Sequence, residues 1–378
     1  MRKVLIYRNE LLPFSETFIL SEASMLRRFL PVFAGLKRVD DGLDIEQYSI
    51  IALNSSERLI EKVKRRVFLR TGRATKFLSE IKRLEIELIH AHFGVDACAV
   101  LPIARRLNVP LLVTLHGYDI MRYESHMSAW PATRTYLRRK EELWQYASLF
   151  LCVSDGIRQH ALLRGFPEKK LRLHHIGVRS AEIAMHAELR SEKIVLFVGR
   201  LVEKKGCIHL IRAMSFVEKK FCNAKLVIIG DGPLRSALEE EAKRLLKCCS
   251  FIGVQPQEAV YRWMRRASVL AVPSIRASDG DAEGLPTVMC EAQAAGLPVV
   301  TFTENGGREA LPAPLRSGLP EEGDETGFAA VIKRLLENDE LWQSASALGR
   351  DYVQANFNLE KQVGILEDIY EEVIRRHG

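Results

Sequence analysis

Short apolar runs alternate with stretches of helical pattern along the whole chain, and this alternation constrains the fold more than any other feature. In the first half the runs fall at residues 3–7, 88–93, 111–115, 149–153 and 171–176, with Ser154 placed to cap a helix. In the second half they fall at 194–198, 225–229, 251–253, 269–272 and 298–302. Runs this short suit buried strands rather than helices. Strand, helix and strand in that order predict an α/β fold, a parallel sheet with crossover helices. In such sheets ligands bind beyond the carboxyl ends of the strands, so the residues leaving those ends are the candidate functional groups. Residues 325–378 read as mostly helical.

A chain of 378 residues suggests two domains. The polar, Ala-rich stretch 180–192 is where they would join. Hydrophobic residues at 47% and charged residues at 27% describe an ordinary globular protein. The net charge of +7 is unevenly placed: residues 1–190 hold 31 Lys and Arg against 21 Asp and Glu, and the rest hold 24 against 27. A basic first half suggests an anionic partner, with nucleic acid, an anionic membrane surface or a phosphorylated acceptor as candidates. No nucleic-acid motif is present, so nucleic acid is not expected. The seven cysteines are odd in number and form no C-x-x-C pair, which predicts free thiols in a reducing compartment. The first apolar run is too short for a signal peptide, and no run approaches a membrane span. The expected location is cytoplasmic.

The densest chemistry lies at residues 279–300, D-G-D-A-E-G-L-P-T-V-M-C-E-A-Q-A-A-G-L-P-V-V. Gly284 reads as a turn and Pro286 as a first-turn helix residue, with a helix over 287–295 that stops at Gly296. The start of such a helix presents backbone N–H groups and the positive end of its dipole, which suit phosphate. Glu283 stands just before that start, and Glu291 lies about one turn inside on the same side. A diphosphate could sit between carboxylates aimed at two different sugars. A capped helix with two solvated glutamates is the plainer alternative. Upstream, Arg200 and Lys205 leave the carboxyl end of the run at 194–198. Two cations there would meet a diphosphate, arginine as a fork and lysine as a point charge.

In the first half, Ser15 or Thr17 could cap a helix that runs on through Glu22 and Met25. His92 and His116 both stand at the carboxyl edge of the sheet. Two histidines raise zinc, but no third or fourth ligand lies at metal spacing, and no metal is expected. Residues 57–83 are helical in pattern and very basic, with Lys62, Lys64, Arg65, Arg66, Arg70, Arg73, Lys76, Lys82 and Arg83 interleaved with apolar residues. Such a segment is either a solvated helix face or a surface for anionic lipid.

Taken in order, G-R at 199–200, K-K-G at 204–206, G-D-G-P at 230–233, F-I-G at 251–253, V-P-S at 272–274 and E-G-L-P at 283–286 with a second Glu at 291 resemble the retaining glycosyltransferases of family 4. H-G-Y-D at 116–119 and F-N-L-E from residue 357 fit as well. The S-E-T-F-I stretch and D-G-D-x-E-G-L-P resemble enzymes that assemble bacterial exopolysaccharides such as colanic acid. The resemblance covers essentially the whole chain. It implies a GT-B fold, two Rossmann-like doubly wound domains facing across a cleft. Residues 1–186 would bind the acceptor and 187–355 the nucleotide-sugar donor, with 356–378 packing back on the first domain.

It also implies roles. Arg200 and Lys205 would bind the donor diphosphate, Glu283 the donor-sugar hydroxyls, and Glu291 the ribose. The backbone around Gly284, Leu285, Pro286 and Thr287 would cradle the distal phosphate. Gly253 and Val254 would lie near the base, UDP- or GDP-linked. His116 would lie at the reaction centre, with Ser15, Glu16, Thr17, His92 and Asp119 on the acceptor side. The acceptor would be a glycan, lipid-linked, in cell-surface or exopolysaccharide biosynthesis. No cofactor is implied.

Three departures stand out. Pro13-Phe14-Ser15 replaces a glycine pair, Arg179 replaces the Asp of G-V-D, and Gly306-Gly307-Arg308-Glu309 lacks the proline of G-x-P-E. Asp279-x-Asp281 resembles the metal-binding D-x-D of another fold, but beside Glu283 it reads as a polar loop. A sugar-nucleotide epimerase, a phosphorylase and a non-catalytic nucleotide-sugar-binding regulator are the rival functions. An oxidoreductase is weaker, because no G-x-G-x-x-G follows a strand.

Overall fold

The computed structural model describes residues 1–40, 42–54, 59–71, 74–180, 192–303 and 306–377, without the side chains of residues 59–62 and 70. The chain forms two compact units, Met1–Gly177 with Leu359–Gly378, and Val178–Asn358. The expected join at residues 186–187 lies outside the described residues.

The first unit carries an eight-stranded sheet: β1 (Arg2–Tyr7), β2 (Glu10–Leu11), β3 (Phe29–Arg38), β4 (Ser49–Asn54), β5 (Leu88–His92), β6 (Leu111–Leu115), β7 (Leu149–Cys152) and β8 (Leu171–Leu173). Their order is β2-β3-β1-β5-β6-β7-β8, with β4 pairing on β3. All pairs are parallel, and Val4 of β1 faces Pro31 of β3 on one side and Leu88 of β5 on the other. The chain goes from β1 outward to β3 and later returns to β5 on the opposite side. The carboxyl ends of β1 and β5 therefore flank a topological switch point, where open α/β sheets hold their ligands. The central strands are buried on both faces, which is why they read as continuous apolar runs rather than as alternating ones.

The apolar pattern assigns no strand between Met25 and residue 57, yet β3 is ten residues long. Pro31 and Gly35 interrupt its sequence signal. The run at 171–176 is shorter than expected, ending at Leu173. The basic stretch 57–83 forms two helices, Leu59–Thr71 and Thr75–Arg83, and Arg73 lies outside the described residues.

The final helix, Leu359–His377, belongs to this unit. It sets Tyr370 into the core against Phe29. Arg28 reaches Glu367 and Asp368, and Glu367 also accepts the backbone N–H groups of Arg27 and Arg28.

The second unit is a five-stranded parallel sheet: β9 (Ile194–Val198), β10 (Lys225–Ile229), β11 (Cys249–Phe251), β12 (Val269–Val272) and β13 (Val299–Thr301). Its order, β11-β10-β9-β12-β13, puts the switch point between β9 and β12. Its core joins Val195, Phe197, Leu226, Ile228 and Phe302 to the helices Cys207–Glu218 and Glu325–Glu337. Among the described residues, no helix is long and apolar enough to cross a membrane.

Candidate active site

In the second unit, the loops leaving β9 and β12 converge at the switch point. After β9 the chain passes Arg200 and makes a turn of 3-10 helix, Glu203–Lys205, closed by Gly206. Gly206 has φ +60°, and a Cβ there would stand 1.8 Å from the Pro273 carbonyl oxygen, so the close approach of the two loops requires glycine. Lys205 Nζ lies 2.9 Å from Glu283 Oε1, with both side chains largely buried. Lys204 Nζ lies 3.1 Å from Asp281 Oδ1. Arg200 is exposed. Burial alone would raise the Glu283 carboxyl, but Lys205, Lys204 and Arg200 together hold it down at about 2. Glu283 is thus a fixed anion at physiological pH.

The helix behind it spans Thr287–Ala294, and Gly296 follows with φ +70°. Pro286 is not a helical residue as expected. It stands at the cap in extended backbone and offers no side-chain acceptor to the helix start. Its fixed φ suits either place, but its ψ of 96° keeps it out of the helix. Leu285 is buried, and Gly284 lies against the loop after β13. A Cβ on Gly306 would stand 1.9 Å from the Gly284 carbonyl oxygen, which gives the Gly306-Gly307 pair a packing reason. Glu291 sits one turn inside the helix. Burial pushes its carboxyl up to about 7, against a hydrogen bond from Gln257. Gly253, with φ +73°, follows β11 and accepts the Gly230 N–H at 2.9 Å, while Val254 is exposed. Asp279 takes the backbone N–H of Asp281 at 3.0 Å. The D-x-D pair is thus a turn plus an ion pair to Lys204.

In the first unit, neither Ser15 nor Thr17 caps the helix Thr17–Ser24. Glu16 occupies the cap position, and its carboxylate turns instead to Arg8, which donates from Nε at 2.8 Å and Nη2 at 2.5 Å. Arg8 also pairs with Asp96 and lies 4.4 Å over the Phe93 ring. Asp96 accepts the Asn9 backbone and side-chain N–H groups at 2.7 Å each. Arg8 and Asp96 were not singled out from sequence. The signal was available only in position, since Arg8 directly follows β1 and Asp96 follows β5.

His116 and His92 meet with Nε2 and Nδ1 3.0 Å apart, and the His116 ring packs against those of Phe18 and Phe93. The outer nitrogens, His92 Nε2 and His116 Nδ1, have no hydrogen-bond partner among the described residues. Burial lowers both histidines well below the ordinary value, so both rings are neutral. Asp119 is fully buried and accepts the N–H groups of Gly94 at 2.8 Å and Gly117 at 3.1 Å, tying the two loops together. Ser15 is exposed. Glu22, His90 and His92 offer ligand atoms within 4.8 Å of one another, a group that includes His92 but not His116. Both His90 nitrogens are already engaged, however, by the hydroxyls of Tyr370 and Thr114 at 2.7 Å each.

Residues 38–182 match the family described as Glycosyltransferase Family 4, and residues 179–351 match Glycosyl transferases group 1. The chain is 29% identical over 306 residues to the amylovoran biosynthesis glycosyltransferase AmsK of Erwinia amylovora, covering 77% of this chain and 72% of that one. It is 27% identical to the putative teichuronic acid biosynthesis glycosyltransferase TuaC of Bacillus subtilis, covering 80% and 75%. Among solved structures, HepE of Anabaena in complex with UDP and glucose superposes with a TM-score of 0.79 at 17% identity, covering 98% of this chain and 100% of that one. Two parallel-sheet units with this likeness make a GT-B fold. With both halves matched, the chain belongs to the family 4 glycosyltransferases.

Proposed function

We propose that this glycosyltransferase moves a hexose, with retention of configuration, from a UDP- or GDP-linked donor to a lipid-linked glycan during assembly of a surface or exported polysaccharide. The observation that carries the donor assignment is the Lys205–Glu283 pair in front of the Thr287–Ala294 helix start, with Glu291 one turn inside. The relatives named for amylovoran and teichuronic acid support the polysaccharide, and the UDP held by HepE supports the nucleotide.

The diphosphate gains negative charge as the glycosidic bond breaks. Lys205, Arg200 and the N–H groups of the helix start stabilise that charge. Glu283 is ionised, so it accepts hydrogen bonds from the sugar hydroxyls and does not act as an acid. Glu291 in its ionised form accepts from the ribose. His116, neutral and with Nδ1 unpartnered among the described residues, serves the transferred sugar. No metal or cofactor takes part in this reading. Exposed Val63 and Val67 beside basic Lys64 and Arg66 support peripheral attachment to anionic lipid.

The experiment is an assay of nucleotide-sugar donors in which proton NMR follows the anomeric signal of the transferred sugar. Release of nucleoside diphosphate together with a product of the donor's own anomeric configuration is the expected result. An inverted product removes the retaining assignment, and absence of turnover with every UDP and GDP sugar removes the donor class.

A further inference from the structure

Three consecutive residues of the turn after β9 are tied, one by one, to the loop that leads into the Thr287–Ala294 helix. Glu203 accepts the Ser278 backbone N–H at 2.9 Å and its hydroxyl at 2.8 Å. Lys204 Nζ stands 3.1 Å from Asp281 Oδ1, and the Lys204 carbonyl accepts the Ile275 N–H at 2.9 Å. Lys205 Nζ stands 2.9 Å from Glu283 Oε1. The outer rung at Ser278 is exposed, whereas the Lys204 and Asp281 side chains keep only 13% and 11% of their surface.

The donor reading gives tasks to Lys205 and Glu283 but none to Lys204 or Asp281. A buried ion pair is a poor source of net stability, because desolvating two charges offsets much of their attraction. Its geometry, however, is narrow: removing either partner leaves a buried charge, so the loop and the turn are held in one register. Asp281 is two residues from Glu283, and Lys204 adjoins Lys205, so a shift of this rung displaces the next.

We propose that the Lys204–Asp281 pair is a positioning device that sets the Glu283 carboxylate on Lys205 before the donor arrives. This rests on reading Lys205 and Glu283 as donor-binding groups.

The test uses the full chain with Asp281→Asn, Lys204→Met, the double variant, the charge swap K204D/D281K, and Glu283→Gln alone and combined with Asp281→Asn. Asp281→Asn and Lys204→Met should each lower kcat by about 10-fold or more, while UDP or GDP affinity measured by calorimetry stays within about 3-fold. The double variant should be no worse than the poorer single one, and the charge swap should recover part of the loss. In urea unfolding, Glu283→Gln should cost less stability in the Asp281→Asn background than in the parent. Additive stability effects, or an unchanged kcat in Asp281→Asn, would overturn the proposal. So would a parent that loses activity in EDTA and regains it with manganese, since that returns Asp281 to a metal. A parent that binds neither UDP nor GDP strikes the donor reading instead, and the unfolding cycle then still decides whether Asp281 positions Glu283.

Discussion

The Lys205 ammonium stands 2.9 Å from the Glu283 carboxylate, so the two opposite charges, both largely buried, neutralise each other. Lysine has three donors on its ammonium and can keep Glu283 while taking a phosphate oxygen. In the proposed reading, the pair would link the leaving diphosphate to the sugar it leaves.

Lys205 and Arg200 should behave differently when removed. Arg200 is exposed, so Arg200→Ala should weaken donor binding by about 1.5–3 kcal/mol without moving the unfolding midpoint. Lys205→Ala should do the same and also destabilise the fold by on the order of 2 kcal/mol, because Glu283 is left buried beside fewer cations. Calorimetric titration and thermal unfolding of both variants check this. Equal midpoints would show that the buried pair contributes nothing.

Glu291 gives the donor affinity a pH dependence. Its carboxyl is raised to about 7, and the ionised form accepts hydrogen bonds more strongly than the neutral acid. If Glu291 holds the ribose, affinity should fall as pH drops below about 7, and Glu291→Gln should flatten that profile. The sign for stability is opposite. A carboxyl raised in the folded state stabilises the fold fully below its ordinary value near 4.5 and loses that contribution as pH rises through 7. Glu291→Gln should therefore be more stable than the parent at pH 8 and lose that advantage near pH 4. A flat donor-affinity profile in the parent would remove the ribose role.

Buried histidines set an acid limit on the first unit. Burial lowers His90 to about 3 and His174 to about 4, so both favour the fold above the ordinary value near 6.5. That stability is lost as pH falls from 6.5 through 4 toward 3. Urea unfolding followed between pH 7 and pH 4 should show a falling midpoint, and His174→Gln should reduce its slope. A midpoint independent of pH in that range would contradict the buried, neutral assignment.

The arrangement in the second unit was largely legible because its groups lie in local motifs: Arg200 and Lys205 just past one strand, Glu283 and Glu291 around one helix start. The first unit was less so. Arg8 meets Asp96 only because β1 lies beside β5, a long-range pairing with no local signature. Glu22 joins His90 and His92 for the same reason. Lys204 and Asp281 were each visible, but their pairing depends on the β9–β12 adjacency. β3 was hidden by Pro31 and Gly35, since a buried parallel strand shows no alternation to compensate for a lost apolar run. The helix starts at Thr287 as the sequence suggests, but Pro286 stands at the cap rather than in the first turn, because proline suits both places.

Activity should be unchanged in excess EDTA, since Arg200, Lys205 and the helix start carry the charge that a divalent ion would otherwise carry. Loss of turnover restored by magnesium or manganese would return Asp279 and Asp281 to a metal role.

The most direct measurement of the central claim compares Glu283→Gln with Glu291→Gln in donor kinetics and in affinity for the free nucleoside diphosphate. Contacts that strengthen only in the transition state set kcat, whereas contacts to an unchanging ribose set binding. Glu283→Gln should lower kcat by on the order of 100-fold or more and leave nucleotide affinity nearly intact. Glu291→Gln should raise the donor KM and weaken the nucleotide, with a smaller change in kcat. Weakened nucleotide binding in Glu283→Gln together with unaltered binding in Glu291→Gln would reverse the two carboxylates and contradict the account.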